Sequence, residues 1–260
     1  MNVVVCIKQV PGSTEVRIDP KTHSLIRESV EAIINPFDEN AIEAGLQLRD
    51  QQGGKVTVMT MGPPQAESAL RQAIAMGADE AVLITDPAFR LSDTLATSYT
   101  LARAIHKVGD FDLVICGKQA IDGDTAQVGP GVAEQLGIPQ ATFVIGLEVN
   151  GRKILAKRML EDSFEVVELR MPALITVVKQ MNEPRTAPMK GVLRARRAAI
   201  TAWNKDDLGA NPSRIGFDGS PTWVIKSFHP ERRKRGEMLE GTTEEVAAVL
   251  AEKIKSLNLG

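Results

Sequence analysis

Short apolar runs alternate along the first half of the chain with longer stretches in which apolar residues recur every three or four positions. The runs occupy residues 2–7, 55–61, 81–85, 113–116 and 141–145, and the periodic stretches occupy residues 39–49, 65–76, 93–107 and 125–136. Such runs are typical of parallel strands buried on both faces, and such stretches of amphipathic helices. Gly77 and Gly137 follow two stretches, where helices commonly end. The alternation predicts an α/β fold with a doubly wound, mostly parallel sheet.

The pattern changes after residue 146. Residues 153–170 form two extended runs around a short polar turn, which predicts a β-hairpin, and residues 172–179 return to a core strand. Residues 182–241 are rich in proline, glycine and arginine, and a capping box at residues 242–246 opens a final amphipathic helix. We therefore expect an α/β domain over residues 1–181, including the hairpin at 153–170. Residues 182–260 are expected to form an extended arm that ends in a helix and leans on another subunit, since long irregular segments commonly have such roles.

The segment after the run 113–116 is the clearest candidate for ligand binding, and it reads “GKQAIDGDTAQVGPG”. It joins a predicted strand to a helix start, where unsatisfied amides and the helix dipole favour an anion such as phosphate. Gly123, Gly129 and Gly131 would let a backbone approach closely. Asp122 and Asp124 would repel phosphate, and could instead cap the helix or bind a ribose hydroxyl. Neither the Walker pattern nor the dinucleotide glycine fingerprint is present. A capped helix that binds nothing and a nucleotide loop therefore both stay open.

Composition narrows the class of protein. The chain has 260 residues, of which 43% are hydrophobic and 4% aromatic, and its net charge is −2. This balance gives no general attraction to nucleic acid or to a membrane surface. Cys6 and Cys116 each lie in a predicted strand and form neither a disulfide framework nor a metal-ligand cluster. Such cysteine usage suits a reducing compartment, and no apolar run approaches the roughly 18 residues of a membrane span. We therefore expect a cytoplasmic protein without a membrane span, and we expect neither a metal site nor a nucleic-acid partner.

Many segments resemble the β subunit of electron transfer flavoproteins. They are “VVVCIKQVP”, “NPFDENAIEAGLQL”, “ALRQAIAMGADEA”, the loop “GKQAIDGDTAQVGP” and the hairpin region “AKRMLEDSFEVVELRMPALIT”. One departure occurs in the hairpin, where Ser163 stands in place of the family's usual Gly, Asp or Glu. The resemblance covers essentially the whole chain, and it assigns the loop to the phosphate group of a nucleotide.

The resemblance implies a heterodimer with a larger α subunit, which carries an FAD that shuttles electrons. The β subunit of this family holds either AMP or a second FAD, so the sheet would be of the adenine-nucleotide-binding type. No side chain needs to act as acid or base in electron transfer, and no catalytic residue is expected. The family's nucleotide pocket matches Cys6, Asn35, Pro36, Phe37, Asp38, Met61, Gly117, Lys118, Gln119, Ala120, Ile121, Asp122, Gly123, Asp124, Thr125, Ala126, Gln127 and Val128.

Three stretches resemble the FAD-holding, electron-bifurcating branch of the family. They are “VPGSTEVRIDPKTHSLIRE”, “SDTLATSYTLA” and “GEMLEGTTEE”. In the second stretch Asp93 is a candidate helix N-cap, and Thr94 and Thr97 share one helical face. Their hydroxyls would suit the extra phosphate or ribityl chain of FAD, although an ordinary capped helix explains the same residues. We therefore expect FAD rather than AMP at the β site.

In that branch the β-site FAD takes two electrons from NADH and splits them. One goes to ferredoxin or flavodoxin, and the other passes through the α-subunit FAD to a dehydrogenase. The first expectation for this enzyme is an acyl-CoA dehydrogenase type, and the second is a flavin-dependent lactate dehydrogenase. The alternatives are a non-bifurcating shuttle with a structural AMP and a non-redox AMP- or ATP-binding protein of the same fold.

The segment “NEPRTAPMKGVLRARR” resembles the family's partner-recognition loop, in which one apolar side chain enters a pocket on the dehydrogenase. The match puts Met189 at the anchor position, with Pro188 and Lys190 on either side. An exposed methionine suits adaptable burial, although a surface methionine without a role would look the same. The resemblance also implies that the arm in residues 182–260 packs on the α subunit.

Overall fold

The computed structural model describes residues 1–12, 32–225, 236 and 238–256. Its helices are α1 (Pro36–Gln52), α2 (Glu67–Met76), α3 (Thr94–Val108), α4 (Val128–Leu136), α5 (Met189–Arg197) and α6 (Thr243–Ser256). Its strands are β1 (Asn2–Cys6), β2 (Gln9–Pro11), β3 (Ala32–Ile34), β4 (Lys55–Met61), β5 (Glu80–Ile84), β6 (Leu113–Gly117), β7 (Gln140–Asn150), β8 (Lys153–Met159), β9 (Phe164–Arg170), β10 (Ala173–Val177) and β11 (Thr201–Trp203). Most of the stretch 10–28, which was compared with the bifurcating branch, lies outside the described residues.

The main sheet runs in the order β11-β5-β4-β1-β6-β10-β7-β8-β9 in the described part of the chain. Neighbouring strands from β11 to β7 are parallel, and β8 and β9 extend the sheet as an antiparallel hairpin. The predicted α/β fold with a doubly wound, mostly parallel sheet and a hairpin addition is confirmed. The chain winds outward from β1 through β4 and β5 and then returns to β6 on the other side of β1. The topological switch point therefore lies between β1 and β6, where open sheets leave a crevice for ligands.

Helices cover both faces of the parallel strands. Val3 and Val5 of β1 pack in one core with α1 and α2, whereas Val4 and Cys6 pack in a second core with α3 and α4. Because successive side chains of a strand point to opposite faces, both sets must be apolar. This burial is the physical reason for the continuous apolar runs in the sequence.

Local residue chemistry sets the helix ends. α2 stops at Gly77 and α4 at Gly137, whose φ angles of 137° and 65° favour glycine. The periodic pattern predicts that α4 begins at residue 125, but the helix begins at Val128. Asp124 and Ala126 adopt left-handed φ angles of 52° and 54°, which delay the start of the helix.

Contacts divide the chain into two units, Met1–Trp223 and Val224–Gly260. The first unit extends beyond residue 181, the expected end of the α/β domain, because α5 and β11 pack into it. β11 pairs with β5 in the sheet, and the Arg194 guanidinium donates hydrogen bonds to the carbonyls of Ile74 and Ala78 at the end of α2. Packing of any part of residues 182–260 on a second subunit stays a prediction.

The second unit contains α6, which starts at a capping box. The Thr242 amide donates to the Glu245 carboxylate, and the Glu245 amide donates to the Thr242 hydroxyl, at 2.9 and 3.4 Å. Val249, Leu250 and Ile254 of this helix are between 41% and 51% exposed. Across the residues that the structure describes, no helix has the length and apolar character to cross a membrane.

Candidate nucleotide site at the switch point

The segment 117–128, called here the β6–α4 loop, leaves the sheet at the switch point. It follows β6, and Lys8 lies just beyond the carboxyl end of the neighbouring β1. Cys6 stands opposite Cys116 in the parallel register, and Met61 at the end of β4 packs against the same core. The structure thus brings Cys6, Met61 and the loop, three parts of the predicted pocket, to one edge of the sheet.

Cys6, Cys116 and Met61, called here the floor, lie near the carboxyl ends of β1, β6 and β4. Both thiols are buried and free. A hydrogen bond with Cys6, reinforced by burial and by the nearby Asp38, holds the pKa of the Cys116 thiol well above its usual value. The Cys116 thiol therefore stays protonated near neutral pH and adds no negative charge that would oppose an anionic ligand.

The Asn35 side chain joins the start of α1 to the β6–α4 loop. Its amide nitrogen donates to the Gln119 carbonyl at 2.8 Å, and its amide oxygen accepts from the Ile121 N–H at 3.1 Å. The backbone N–H of Asn35 also donates to the Lys8 carbonyl at 2.9 Å. One buried side chain therefore fixes the first turn of the loop against the end of β1.

Asp38 links the ends of the two central strands. Its carboxylate accepts from the Lys8 N–H at 2.7 Å and from the Gly117 N–H at 3.2 Å. Burial raises the pKa of the Asp38 carboxyl from 3.8 to about 7, because desolvation outweighs the hydrogen bonds that favour its charged form. The polar side-chain atoms of Asn35 and Asp38 thus bond to protein groups, so these residues shape the site by holding its backbone.

The ammonium groups of two lysine side chains lie over the ring of Phe37. The ammonium groups of Lys118 and Lys179 lie 6.0 and 5.6 Å from the ring centroid, and Lys118 also lies 5.2 Å from the ring of Phe143. Pro36 occupies the first turn of α1, where its fixed φ angle and missing N–H are tolerated. The predicted pocket residues Asn35 to Asp38 therefore form the N-cap and the first turn of α1, at the edge of the site.

The second half of the loop presents a row of open backbone donors. The N–H groups of Thr125, Ala126, Gln127, Val128 and Gly129 have no hydrogen-bond acceptor among the described residues. The left-handed conformation of Ala126 followed by the right-handed one of Gln127 turns successive N–H groups toward one concavity, and the N-terminus of α4 adds partial positive charge. The loop therefore fits a phosphate group, the part that AMP and FAD have in common.

Both loop carboxylates are engaged with side chains. The Lys8 ammonium contacts the two oxygens of Asp122 at 2.7 Å each, and the Gln119 side-chain amide donates to Asp124. The repulsion that these carboxylates would exert on phosphate is therefore reduced, most directly at Asp122, where the partner is a cation.

The N-terminus of α3 meets the β6–α4 loop. The Asp93 carboxylate caps α3 by accepting from the amides of Leu95 and Ala96, and it also accepts from Thr222. Partial burial opposes ionisation, but these hydrogen bonds hold the pKa of Asp93 below its usual value. The Thr94 hydroxyl donates to the Gln127 side chain at 3.0 Å, which connects the two helix starts.

Thr97 lies one helical turn after Thr94 and is half-buried. Its hydroxyl has no hydrogen-bond partner among the described residues. It is therefore open to a ligand, in contrast to Asp93, whose carboxylate is already occupied.

The loop glycines serve different purposes. A Cβ at Gly117 would collide with Asp38 and with the backbone of Phe37, whereas a Cβ at Gly123 would meet nothing within 4 Å. Gly129 and Gly131 face Thr176 and Ser98 so closely that a side chain would displace α4 from the sheet and from α3. Of these four glycines in the loop and in α4, only Gly123 is free of packing constraints.

The predicted docking residues belong to a different part of the molecule. Pro188 precedes α5, and Met189 and Lys190 form its first turn, where Met189 is 75% exposed. α5 packs on α2, and a groove of about 650 Å³ lies beside it, bordered by residues 184–187 and by Val192. This groove is not part of the loop region.

Sequence reasoning missed Lys8 as a site residue. Its ammonium pairs with a loop carboxylate, and its backbone N–H and carbonyl bond to Asp38 and Asn35. The signal available was its position, because a cation directly after the first strand lies at the switch point of a doubly wound sheet.

The fold, with the β6–α4 loop at the carboxyl ends of the central strands, defines a doubly wound α/β protein of the class that binds its ligand at the switch point. Comparison with known proteins goes further, because residues 22–208 match the family described as “Electron transfer flavoprotein domain”. The chain belongs to the electron transfer flavoprotein family.

Three relatives illustrate the similarity. The electron transfer flavoprotein subunit beta of Thermoanaerobacterium thermosaccharolyticum is 49% identical over 257 residues, which cover 98% of each chain. Caffeyl-CoA reductase-Etf complex subunit CarD of Acetobacterium woodii is 49% identical over 261 residues and the whole of both chains. Protein FixA of Azorhizobium caulinodans is 49% identical over 241 residues, 90% of this chain and 86% of its own. The similarity to β subunits that the sequence motifs indicated is thus confirmed, and the chain is of an electron-transfer family.

Gly117→Ala should destabilise the protein, since the added methyl group would push on Asp38 and Phe37. We expect a loss of about 2 kcal/mol in the free energy of unfolding, as is typical of overpacking. Gly123→Ala is the matched control and should change stability by less than about 0.5 kcal/mol. Urea denaturation measures both, and equal stability of the two variants would contradict the close crossing at Gly117.

The raised pKa of Asp38 predicts a pH dependence of stability. Between pH 3.8 and about 7 the folded state holds a proton on Asp38 that the unfolded state has released. The contribution of Asp38 to the free energy of unfolding is therefore fully present below the pKa that this carboxyl has in the unfolded state. It falls as the pH rises toward 7, by at most about 1.4 kcal/mol per pH unit.

Asp38→Asn removes this titration. The free energy of unfolding of the variant minus that of the parent should rise between pH 5 and pH 8, whatever its value at any single pH. Asp162→Asn, in the exposed hairpin turn, is the control, since it removes a carboxylate away from the contacts of Asp38. A flat profile for Asp38→Asn would show that Asp38 does not titrate in this range.

Proposed function

We propose that this chain is the β subunit of a heterodimeric electron transfer flavoprotein that binds FAD at the β6–α4 loop and takes electrons from NADH. The complex would pass one electron to ferredoxin or flavodoxin and the other, through the FAD of the α subunit, to a dehydrogenase. The observation that carries the proposal is the row of open backbone N–H groups at residues 125–129, at the switch point of a chain of this family.

The chain's own residues would bind and orient the cofactor, which itself supplies the redox chemistry. The amides of residues 125–129 would donate to a phosphate, and the floor formed by Cys6, Cys116 and Met61 would cover an apolar ring system. Asn35 and Asp38 would keep the loop in this shape through their bonds to its backbone. No side chain is assigned to acid–base chemistry.

Two features favour FAD over AMP. FAD has a second phosphate and a ribityl chain, and both need polar groups beyond those that hold AMP. The Thr94 hydroxyl lies beside the loop at Gln127, and the Thr97 hydroxyl on the same helix face has no partner among the described residues. These hydroxyls would extend the phosphate site along the N-terminus of α3. The amides of Leu95 and Ala96 would not contribute, because they already donate to the Asp93 carboxylate.

The partner proteins are proposed from the family and from exposed apolar side chains. Val249, Leu250 and Ile254 of α6 and the neighbouring arm would pack on the α subunit, since such apolar side chains gain stability when covered. The Acetobacterium woodii relative is named as part of a caffeyl-CoA reductase complex. That name favours an acyl-CoA dehydrogenase type of partner over the lactate dehydrogenase type. We propose a cytoplasmic location for the complex.

Counting the bound cofactors tests the proposal. The chain should be co-expressed with its α subunit, purified as the complex and extracted, and FAD and AMP should be quantified per heterodimer. We expect two FAD per heterodimer and bleaching of flavin absorbance by NADH without oxygen. One FAD with one AMP would instead identify a non-bifurcating shuttle, and AMP or ATP without flavin would identify a non-redox binding protein.

Met189→Ala tests the proposed docking segment. If Met189 is the apolar anchor, electron delivery to the dehydrogenase should fall at least about tenfold, which corresponds to about 1.4 kcal/mol. NADH oxidation with an artificial acceptor should stay unchanged, because Met189 lies away from the loop.

Leu91→Ala is the control, since Leu91 is 77% exposed, close to the 75% of Met189. If the Met189 and Leu91 variants deliver electrons to the dehydrogenase equally well, the apolar anchor is a different residue. A parallel loss of both activities in the Met189 variant would indicate a role in folding.

A further inference from the structure

Lys8 and Asp122 form an ion pair across the mouth of the candidate site. Lys8 comes from the end of β1 and Asp122 from the β6–α4 loop, and the ammonium contacts both carboxylate oxygens at 2.7 Å. The two side chains are 49% and 36% exposed. Neither residue has another salt-bridge partner among the described residues, so Lys8 is the cation that directly balances the charge of Asp122. The Lys8 charge also favours the ionised form of the buried Asp38 carboxyl.

This pairing matters because Asp122 shares its loop with the open amides at residues 125–129. A carboxylate near a bound phosphate raises the free energy of the complex through like-charge repulsion, which falls with distance and with screening by salt. A cation held against that carboxylate removes most of this repulsion. The loop can then attract an anion although its sequence contains two aspartates.

We propose that Lys8 determines the specificity of the site for phosphorylated ligands by neutralising Asp122. The inference rests on the proposed nucleotide-binding function and adds a residue to it. Lys8 is a positioning residue in this scheme, because it acts on the ligand through the charge of Asp122.

A mainly structural role for the pair is less consistent with its surroundings. Ion pairs with this much exposure contribute about 0–1 kcal/mol to stability. The backbone of Lys8 is held independently of its side chain, by the bond from its N–H to Asp38 and by the bond from Asn35 to its carbonyl. A substitution of the Lys8 side chain should therefore leave the strand end in place and change the local charge.

The test is a double-mutant cycle on the full-length chain after removal of bound nucleotide. The variants are Lys8→Gln, Asp122→Asn and the combination of both, and the probes are AMP and uncharged adenosine, measured by isothermal titration calorimetry. Lys8→Gln should weaken AMP binding about 5- to 10-fold at low salt, less at high salt, and leave adenosine binding unchanged. Asp122→Asn should bind AMP at least as tightly as the parent, and the double variant should recover affinity close to the parent's.

Lys118→Gln is the matched control, because it removes a lysine charge from the same loop without exposing a paired carboxylate. Any loss of AMP affinity in Lys118→Gln should persist when Asp122→Asn is added. Circular dichroism and melting temperature show that each variant is folded, and Asp122→Asn alone keeps the test decisive should Lys8→Gln be unstable.

Three results would overturn the inference: AMP affinity unchanged in Lys8→Gln, AMP affinity still low in the double variant, or weakened AMP binding in Asp122→Asn. Failure of the parent protein to bind AMP or FAD at all would overturn the proposed function together with the inference. The two failures are therefore distinguishable.

Discussion

One buried carboxylate holds together the region on which the candidate site depends. Asp38 accepts hydrogen bonds from Lys8, two residues beyond β1, and from Gly117, the last residue of β6, so it fixes the spacing of the two strands at the switch point. Gly117 has no Cβ because the start of α1 crosses it closely. The start of the loop takes its position from this crossing.

Strand and helix positions were predictable wherever burial dictates residue type. The runs at 55–61 and 113–116 are apolar on both faces because helices cover both sides of the sheet. The start of α4 was less predictable, since Asp124 and Ala126 adopt left-handed conformations that the periodic pattern does not reveal. The packing of α5 was also less predictable, because hydrogen bonds from Arg194 to the carbonyls at the end of α2 attach the helix alongside the apolar contacts of Val192 and Ala195.

The location of the candidate site was predictable from the sequence. Which of its residues hold the backbone and which stay open to a ligand was not predictable. The resemblance named Asn35 and Asp38 as pocket residues, but only the structure shows that their polar side-chain atoms bond to protein backbone. Gly129 and Gly131 looked like open approaches for a ligand and instead pack against Thr176 and Ser98. Such roles depend on contacts between residues far apart in the chain, which a local pattern does not encode.

The backbone conformation of the loop depends little on most of the loop's own side chains, because residues outside the loop hold its backbone. The anchors come from Asn35 and Asp38, outside the loop, and they grip its backbone, while the side chains of Ile121 and Thr125 are exposed. These positions could accumulate substitutions during evolution without distorting the cradle, whereas Asn35 and Asp38 could not. The same separation would let an engineer redesign the rim for a different cofactor analogue while keeping the backbone scaffold intact.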